Sequence, residues 1–124
     1  MSVVLIIEDN EMNMKLARDL LGAKGYETLE AITGEEGVKL AREKKPDLVL
    51  MDIQLPGING IDALRQLRAD PATAAIPVVA FTASVTPTDR SQITAAGFEG
   101  FLSKPIVMRE FLDTVKRVLE AAAK

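Results

Sequence analysis

Short apolar runs alternate with longer amphipathic stretches along the whole chain. Three of these runs, VVLII, LVLM and VVAF in one-letter code, are continuously apolar and do not alternate with polar residues. Such runs are typical of strands that are covered on both faces, as in a parallel sheet. The pattern predicts five strands, at Val3–Ile7, Tyr26–Glu30, Asp47–Met51, Ile76–Thr82 and Gly100–Ser103.

Helix start and stop signals lie between these runs. Asn10 is a predicted cap of a first helix that Gly25 ends, and Thr33 with Glu36 forms a capping box for a second. Three more helices are predicted, between Asn59 and Asp70, from Thr86 with Pro87 in its first turn to Gly97, and along an apolar stripe from Met108 to Leu119. The fourth helix offers only Ile93 as a large apolar anchor, so we expect it to be the least firmly held.

This alternation of five strands and five helices predicts an α/β fold with a doubly wound sheet, because right-handed crossovers place helices on both faces. The length of 124 residues fits one domain. We expect residues 1–124 to form that domain, with no effector domain. Ligands of such folds bind at the carboxyl ends of the strands.

Composition narrows the chemistry. The 15 Lys and Arg residues against 18 Asp and Glu residues give a net charge of −3, and no basic stripe is present, so nucleic-acid binding is not expected. The absence of Cys and His removes thiol nucleophiles, imidazole bases and the usual zinc ligands. The first apolar run is too short to cross a bilayer and no cationic leader precedes it, so we expect a cytoplasmic protein without membrane contact.

The candidate chemical groups all follow predicted strands. Glu8 and Asp9 follow the first strand, Asp52 the third and Lys104 the fifth, while Thr82 ends the fourth. If the first and third strands are neighbours, Asp9 and Asp52 converge, and two close carboxylates repel unless a cation separates them. Mg²⁺ is the fitting ion, since it prefers oxygen ligands. Side chains alternate along a strand, so Glu8 and Asp9 cannot both bind the ion directly unless the strand has ended before them, and one of them is expected to act through water.

The stretches LIIEDN, LVLMDIQLPGING, AFTA and FLSKP together resemble the receiver domain of two-component response regulators. The resemblance covers the chain from Val3 to about Leu119. It implies a flavodoxin-like, five-stranded parallel sheet in the order 2-1-3-4-5 with five helices. EDNEMNMK and DIQLP look like stand-alone cell-division regulators of the DivK type, and also like receivers attached to hybrid histidine kinases.

The resemblance also implies roles for the acidic residues. Asp52 would accept a phosphoryl group, as an aspartyl phosphate. Asp9 and Asp52 would bind Mg²⁺ together with the backbone carbonyl of Gln54, and Glu8 would help through water. Glu8 stands where an aspartate is commoner in the family, which keeps an oxygen ligand and lengthens its reach.

The remaining site residues receive roles in the signal. Thr82 and Lys104 would hold the phosphoryl oxygens, and a cis bond before Pro105 is expected to turn Lys104 towards the site. Phe101 takes the switch position, where a tyrosine is frequent, so no hydroxyl is available there. Movement of Thr82 would open space that the Phe101 ring fills.

These roles predict a phosphorylation-controlled interaction module and not a turnover enzyme. A histidine kinase or a histidine phosphotransfer protein would supply the phosphoryl group, docking a helix against Asn13, Leu16, Pro105 and Ile106. A downstream protein would bind the face formed by the fourth helix, the fifth strand and the last helix. The receiver itself is expected to be a monomer.

Two other functions share part of this chemistry. A Mg²⁺-dependent phosphohydrolase with an aspartate nucleophile, similar to the haloacid-dehalogenase group, would carry Asp-x-Asp after the first strand and a cap domain. Here the strand ends Glu8-Asp9-Asn10, and the chain has no room for a cap domain. A flavin-binding electron carrier would need a loop rich in Ser, Thr and Gly after the first strand, and Asn10-Glu11-Met12-Asn13 is not one.

Overall fold

The computed structural model describes residues 2–83 and 87–122, and for residues 87–90 it describes the backbone alone. Within these residues five strands alternate with five helices: β1 Val3–Ile7, α1 Glu11–Ala23, β2 Glu27–Ala31, α2 Gly34–Lys44, β3 Leu48–Asp52, α3 Gly60–Ala69, β4 Val78–Thr82, α4 Pro87–Ala96, β5 Gly100–Ser103 and α5 Met108–Ala122. The strands form one parallel sheet in the order β2-β1-β3-β4-β5. The predicted fold class and strand order are confirmed.

The strand boundaries agree with the sequence pattern to within two residues. β1 and β5 have the predicted limits, whereas β2 and β3 lie one residue further along the chain. β4 begins at Val78 and not at Ile76, because Pro77 has no N–H for the ladder and the Ile76 N–H donates to Thr73 O, at 3.1 Å within a turn. The predicted start of the fourth helix at Thr86 lies outside the described residues.

Helices cover the sheet on both faces. α1 and α5 cover one face, where Met14 and Leu21 of α1 and Phe111 of α5 are buried. α2 and α3 cover the other, with Val38 and Leu64 in the core. All five residues of β3 and all five of β4 are buried, which explains their continuously apolar sequences. Neither central strand has a solvent-facing side.

The ends of the apolar helix stripes differ from the prediction at one position. Met108 was predicted to begin the buried stripe of α5, but its side chain is 59% exposed and the buried stripe begins at Phe111. Met108 is the first residue of α5 and lies at the carboxyl edge of the sheet, beyond the last residue of β5. In α4, Ile93 is buried as predicted. None of the helices in the described residues is long and apolar enough to cross a membrane.

The amino edge of the sheet is tied together by one arginine. Arg68, near the end of α3, donates to Ile76 O at 2.7 Å and forms an ion pair with Glu99 at 2.6 Å. Glu99 also accepts from the Val78 N–H at 2.7 Å, and Arg68 donates to Gly97 O at 3.4 Å. α3, the start of β4 and the connection from α4 to β5 are therefore joined at this edge.

Candidate functional site

The carboxyl edge of the sheet brings three carboxylates together. The β1–β3 ladder pairs Ile7 with Met51, so the residues that follow, Glu8 and Asp52, emerge side by side. Asp9 is the next residue after Glu8. One oxygen from each of the three carboxyl groups lies within 4.8 Å of the other two. The predicted convergence of Asp9 and Asp52 is therefore present in the structure.

The three carboxylates differ in depth. Glu8 and Asp52 are each only 3% exposed, whereas Asp9 is exposed. Glu8 continues the row of Ile6, which packs between the sheet and the α1–α5 layer, whereas Asp9 lies two residues beyond the end of β1, where the chain leaves the sheet. The site therefore has a buried floor of two carboxylates and an exposed third carboxylate at its rim.

Lys104 lies between the two buried carboxylates. Its Nζ is 2.7 Å from Glu8 Oε1 and 3.0 Å from Asp52 Oδ2, and its side chain is 14% exposed. The Lys104 N–H donates to Thr82 O at 2.8 Å, and the following bond to Pro105 is cis, as expected. The contact with Glu8 joins residues 96 positions apart and was not predicted, since Lys104 was expected only to hold phosphoryl oxygens.

The loop after β3 holds Asp52 from the other side. The Gln54 N–H donates to Asp52 Oδ1 at 3.0 Å. Gly60 packs so closely on this loop that a Cβ there would lie 2.5 Å from Asp52 O and 2.9 Å from the Ile53 Cα. Only glycine fits this approach of α3 to the end of β3. The backbone-carbonyl role expected of Gln54 stays a prediction.

The oxygens of Glu8 are unequally bonded. Oε1 accepts from Lys104 and, at 2.9 Å, from the side-chain amide of Asn13. Oε2 is buried and has no hydrogen-bond partner among the described residues. A buried carboxylate oxygen left without a partner is unfavourable unless a cation or water reaches it. The cluster fits a Mg²⁺ site, because its three carboxylates offer the hard oxygen donors that this ion prefers.

Burial and neighbouring charges shift two ionisable groups. The pKa of Glu8 is raised to about 7, first by burial, then by the neighbouring Asp52 carboxylate, against the lowering effects of Lys104 and Asn13. Burial disfavours the charged form of Lys104, but its bonds to Glu8 and Asp52 outweigh burial and raise the pKa of Lys104. The lysine therefore stays cationic, while Glu8 is the group of the site that titrates near neutral pH.

This pKa predicts a pH dependence of stability in the absence of divalent metal. Glu8 titrates near 4.5 when unfolded and near 7 when folded, so its stabilising contribution is full below pH 4.5 and is lost as pH rises through 7. Glu8→Gln removes this titration. In EDTA, the free energy of unfolding of Glu8→Gln relative to the wild type should increase by on the order of 2 kcal/mol between about pH 5 and about pH 8.

Urea denaturation at several pH values measures this difference. The carboxylates that lie away from Glu8 are common to both proteins, so their titration cancels in the comparison. A difference in the free energy of unfolding that stays constant from acid to alkaline pH would contradict the prediction.

The predicted switch residues lie on the two strands that follow β3 in the sheet, Thr82 on β4 and Phe101 on β5. Thr82, the last residue of β4, is 1% exposed, and Phe101 of β5 is half-buried. The β4–β5 ladder pairs Phe101 with Ala80, and by alternation Ala80, Thr82 and Phe101 face the same side of the sheet. Thr82 pairs with Ser103, so Phe101 lies diagonally from Thr82 on this face of the ladder.

Two residues of the site were missed by the sequence analysis. Asn13, expected only at a docking surface, bonds Glu8, and Phe81 lies under the lysine, with Nζ 5.1 Å from its ring centroid. Phe81 also meets Phe111 edge to face, at 6.4 Å between centroids. The parity of the strands is the signal that could have placed Phe81 here, since it shares its face with Glu8 and Asp52.

Comparisons with known proteins agree on one family. The sequence model of the family described as the response regulator receiver domain matches residues 4–116. The polar-differentiation response regulators DivK of Brucella anthropi and Brucella ovis are each 47% identical over 116 residues, which is 94% of this chain and 94% of theirs.

Solved structures give the same result. The receiver domain of a sensor histidine kinase from Pseudomonas aeruginosa, with a magnesium ion coordinated in its active-site cleft, superposes with a TM-score of 0.89 at 29% identity, over 96% of this chain and 98% of that one. The receiver domain of a histidine kinase from Syntrophus aciditrophicus superposes with a TM-score of 0.90 at 28% identity, over 98% and 92%. With its sequence, its sheet order and its carboxylate cluster in agreement, the chain belongs to the family of response regulator receiver domains of two-component signal transduction.

Proposed function

We propose that this receiver accepts a phosphoryl group on Asp52, in a Mg²⁺-dependent reaction, from a histidine kinase or a histidine phosphotransfer protein. The observation that carries the proposal is the position of Asp52: its carboxylate is buried between Lys104, at 3.0 Å, and two further carboxylates within 4.8 Å. Of the three acidic residues, Asp52 is the one held by both the lysine and a backbone N–H.

The proposed reaction follows from these groups. A carboxylate oxygen of Asp52 attacks the phosphorus, the bond from phosphorus to the donor breaks, and an aspartyl phosphate forms. Lys104 offsets the negative charge of the phosphoryl oxygens, and Thr82 supplies a hydroxyl at the end of the neighbouring strand. Mg²⁺, held by Asp9 and Asp52 with the Gln54 carbonyl and, through water, Glu8, would supply the remaining positive charge.

We propose that the chain is a phosphoacceptor and not a turnover enzyme. Its place in the receiver family favours this function over the phosphohydrolase considered from the sequence. The similarity to DivK, a polar-differentiation response regulator, favours a role in the control of cell division. Incubation with small-molecule phosphatase substrates tests the distinction, because a receiver should release little product beyond one equivalent of its own phosphorylation.

An apolar rim beside the site supports docking of a phosphodonor helix. Among the described residues, Met12 and Leu16 of α1 and Val107 and Met108 before and in α5 are exposed large hydrophobic residues, at 82%, 42%, 57% and 59%. They lie on the elements that begin at the carboxyl edge, close to Asp9 and Lys104. Leu16 therefore remains a proposed donor contact. Pro105, which is exposed, and Ile106, which is partly buried against the core, remain proposed contacts as well, whereas the amide of Asn13 is engaged by Glu8.

The proposed output lies on the face of α4, β5 and α5. Phosphoryl oxygens would draw in the Thr82 hydroxyl and pair with Lys104, and Phe101, half-buried in this structure, would move into the space vacated next to Thr82. Burial of a fully exposed aromatic ring contributes about 1.5–3 kcal/mol, and burial of the exposed part of Phe101 contributes a fraction of this, enough to bias two surface conformations. A downstream protein would distinguish the two.

Chemical-shift mapping with beryllofluoride and Mg²⁺, which mimic the bound phosphoryl group, tests this output. We expect the amide signals of Ile93, Phe101 and Phe111 to shift together with those around Asp52. Asp52→Asn serves as the control for non-specific effects of the reagent. A response confined to the surroundings of Asp52 would show that no such switch exists.

A further inference from the structure

Asn13 holds the Glu8 carboxylate in one orientation. Its side-chain amide donates to Glu8 Oε1 at 2.9 Å, and Lys104 Nζ donates to the same oxygen at 2.7 Å. Both donors therefore act on one oxygen, and Oε2 is left buried without a partner among the described residues. A carboxylate with two donors on one oxygen cannot turn without breaking both bonds.

The backbone of Asn13 is itself fixed. The Asn13 N–H donates to the Asn10 side chain at 3.0 Å, in the cap of α1, and the Met14 N–H donates to Asn10 O at 2.9 Å. The amide of Asn13 therefore starts from a capped first turn, where few conformations are open to it. One residue, Asn10, sets the position from which Asn13 reaches Glu8.

The side-chain length of Glu8 matters for this contact. Asn13 approaches from α1, which packs on the same face of the sheet as Glu8, and the two residues line one small cavity of about 10 Å³ together with Phe81 and Asp52. An aspartate at position 8 would end one methylene short and would leave the Asn13 amide without this acceptor. Glutamate and asparagine at these positions therefore act as a matched pair.

We propose that Asn13 is a positioning residue for the cation site: by binding Glu8 Oε1, it leaves the unpartnered Oε2 for the cation or a water molecule bound to it. This inference rests on the proposed Mg²⁺-dependent function. In the phosphorylated protein, Lys104 would donate hydrogen bonds both to the phosphoryl oxygens and to Glu8. Asn13 then keeps a donor on Oε1, so the orientation of Glu8 is retained before and after phosphorylation.

A double-mutant cycle on Mg²⁺ affinity tests the proposal. Affinity is measured by following amide signals during Mg²⁺ titration, without any phosphodonor. Asn13→Ala should weaken Mg²⁺ binding about tenfold, as loss of a residue that orients a metal ligand does. In a Glu8→Asp background the same Asn13→Ala change should have no further effect, because the shorter carboxylate does not reach Asn13.

Controls separate positioning from folding. Gln66→Ala removes an exposed side-chain amide from α3, far from the cluster, and should leave Mg²⁺ affinity unchanged. Asn13→Leu keeps the size of the side chain without a donor and gives a second measurement if Asn13→Ala is unstable. Urea denaturation of each variant shows that the compared proteins are folded.

The outcomes distinguish this inference from the proposed function. Equal weakening by Asn13→Ala in both backgrounds, or no weakening in either, overturns the positioning role while Mg²⁺ binding by the wild type still supports the proposed function. If the wild type itself shows no Mg²⁺ binding, the proposed function and the role of Asn13 are both overturned. Weakening that appears only with Glu8 present supports the matched pair.

Discussion

Asp52→Asn should abolish phosphorylation by acetyl phosphate in the presence of Mg²⁺. The amide has nearly the shape of the carboxylate, so the bonds to Gln54 and the packing of the loop are retained, but it lacks the anionic oxygen that attacks phosphorus. The expected result is complete loss of the phosphorylated species. Intact-protein mass spectrometry, which resolves the added phosphoryl group, measures it directly.

The matched control is Asp62→Asn. Asp62 lies in the first turn of α3, is half exposed and forms an ion pair of 3.6 Å with Arg65, so the same chemical change is made outside the cluster. This variant should be phosphorylated like the wild type. Phosphorylation of Asp52→Asn at the rate of the wild type would refute the assignment of the acceptor.

Asp9→Asn should weaken Mg²⁺ binding by more than about tenfold, a larger effect than that of Glu8→Gln. Asp9 is exposed and has no hydrogen bond or ion pair with the part of the chain that the structure describes, so its carboxylate is available to a cation. Replacing it removes one of two proposed direct carboxylate ligands. Because Asp9 lies within 4.8 Å of two buried carboxylates and repels them when no cation is present, Asp9→Asn should increase the free energy of unfolding without metal.

Mg²⁺ titration followed by amide chemical shifts gives the affinity, and urea denaturation in EDTA gives the stability. Asp19→Asn on α1 is the control, since Asp19 is an exposed aspartate with only a 3.8 Å contact to Arg18. Undiminished Mg²⁺ affinity in Asp9→Asn would exclude Asp9 as a ligand and require a different cation site.

The fold was predictable because its signals are local. The continuous apolar runs identify the buried strands, and Asn10, Thr33 and Asn59 cap the helices that follow them, each accepting the backbone N–H three residues on. The boundaries of the strands are harder to predict, as at Ile76, since an apolar residue can continue a strand or precede it. The chemistry of Pro77 decides that boundary, and the hydrophobic pattern does not show it.

The site was predictable in its members but not in its resting contacts. Glu8, Asp9, Asp52 and Lys104 were identified because strand ends in a parallel sheet share one edge. The pairing of Lys104 with Glu8 depends on how deeply each side chain is buried, and burial at this edge is set by Phe81, on a third strand. Contacts that need three strands at once leave no local pattern in the sequence.

The contacts of Arg68 at the amino edge hold α4 at one end, so a rotation of this helix displaces its other end most. Arg68 and Glu99 hold the chain where α4 ends, at Gly97, while the helix of 10 residues extends from there towards the carboxyl edge. Such a helix is about 15 Å long, so a rotation of about 10° about its fixed end displaces its other end by about 2–3 Å. Under the proposed output, a small movement of Thr82 that reached the start of α4 would therefore displace the surface more there than near Gly97.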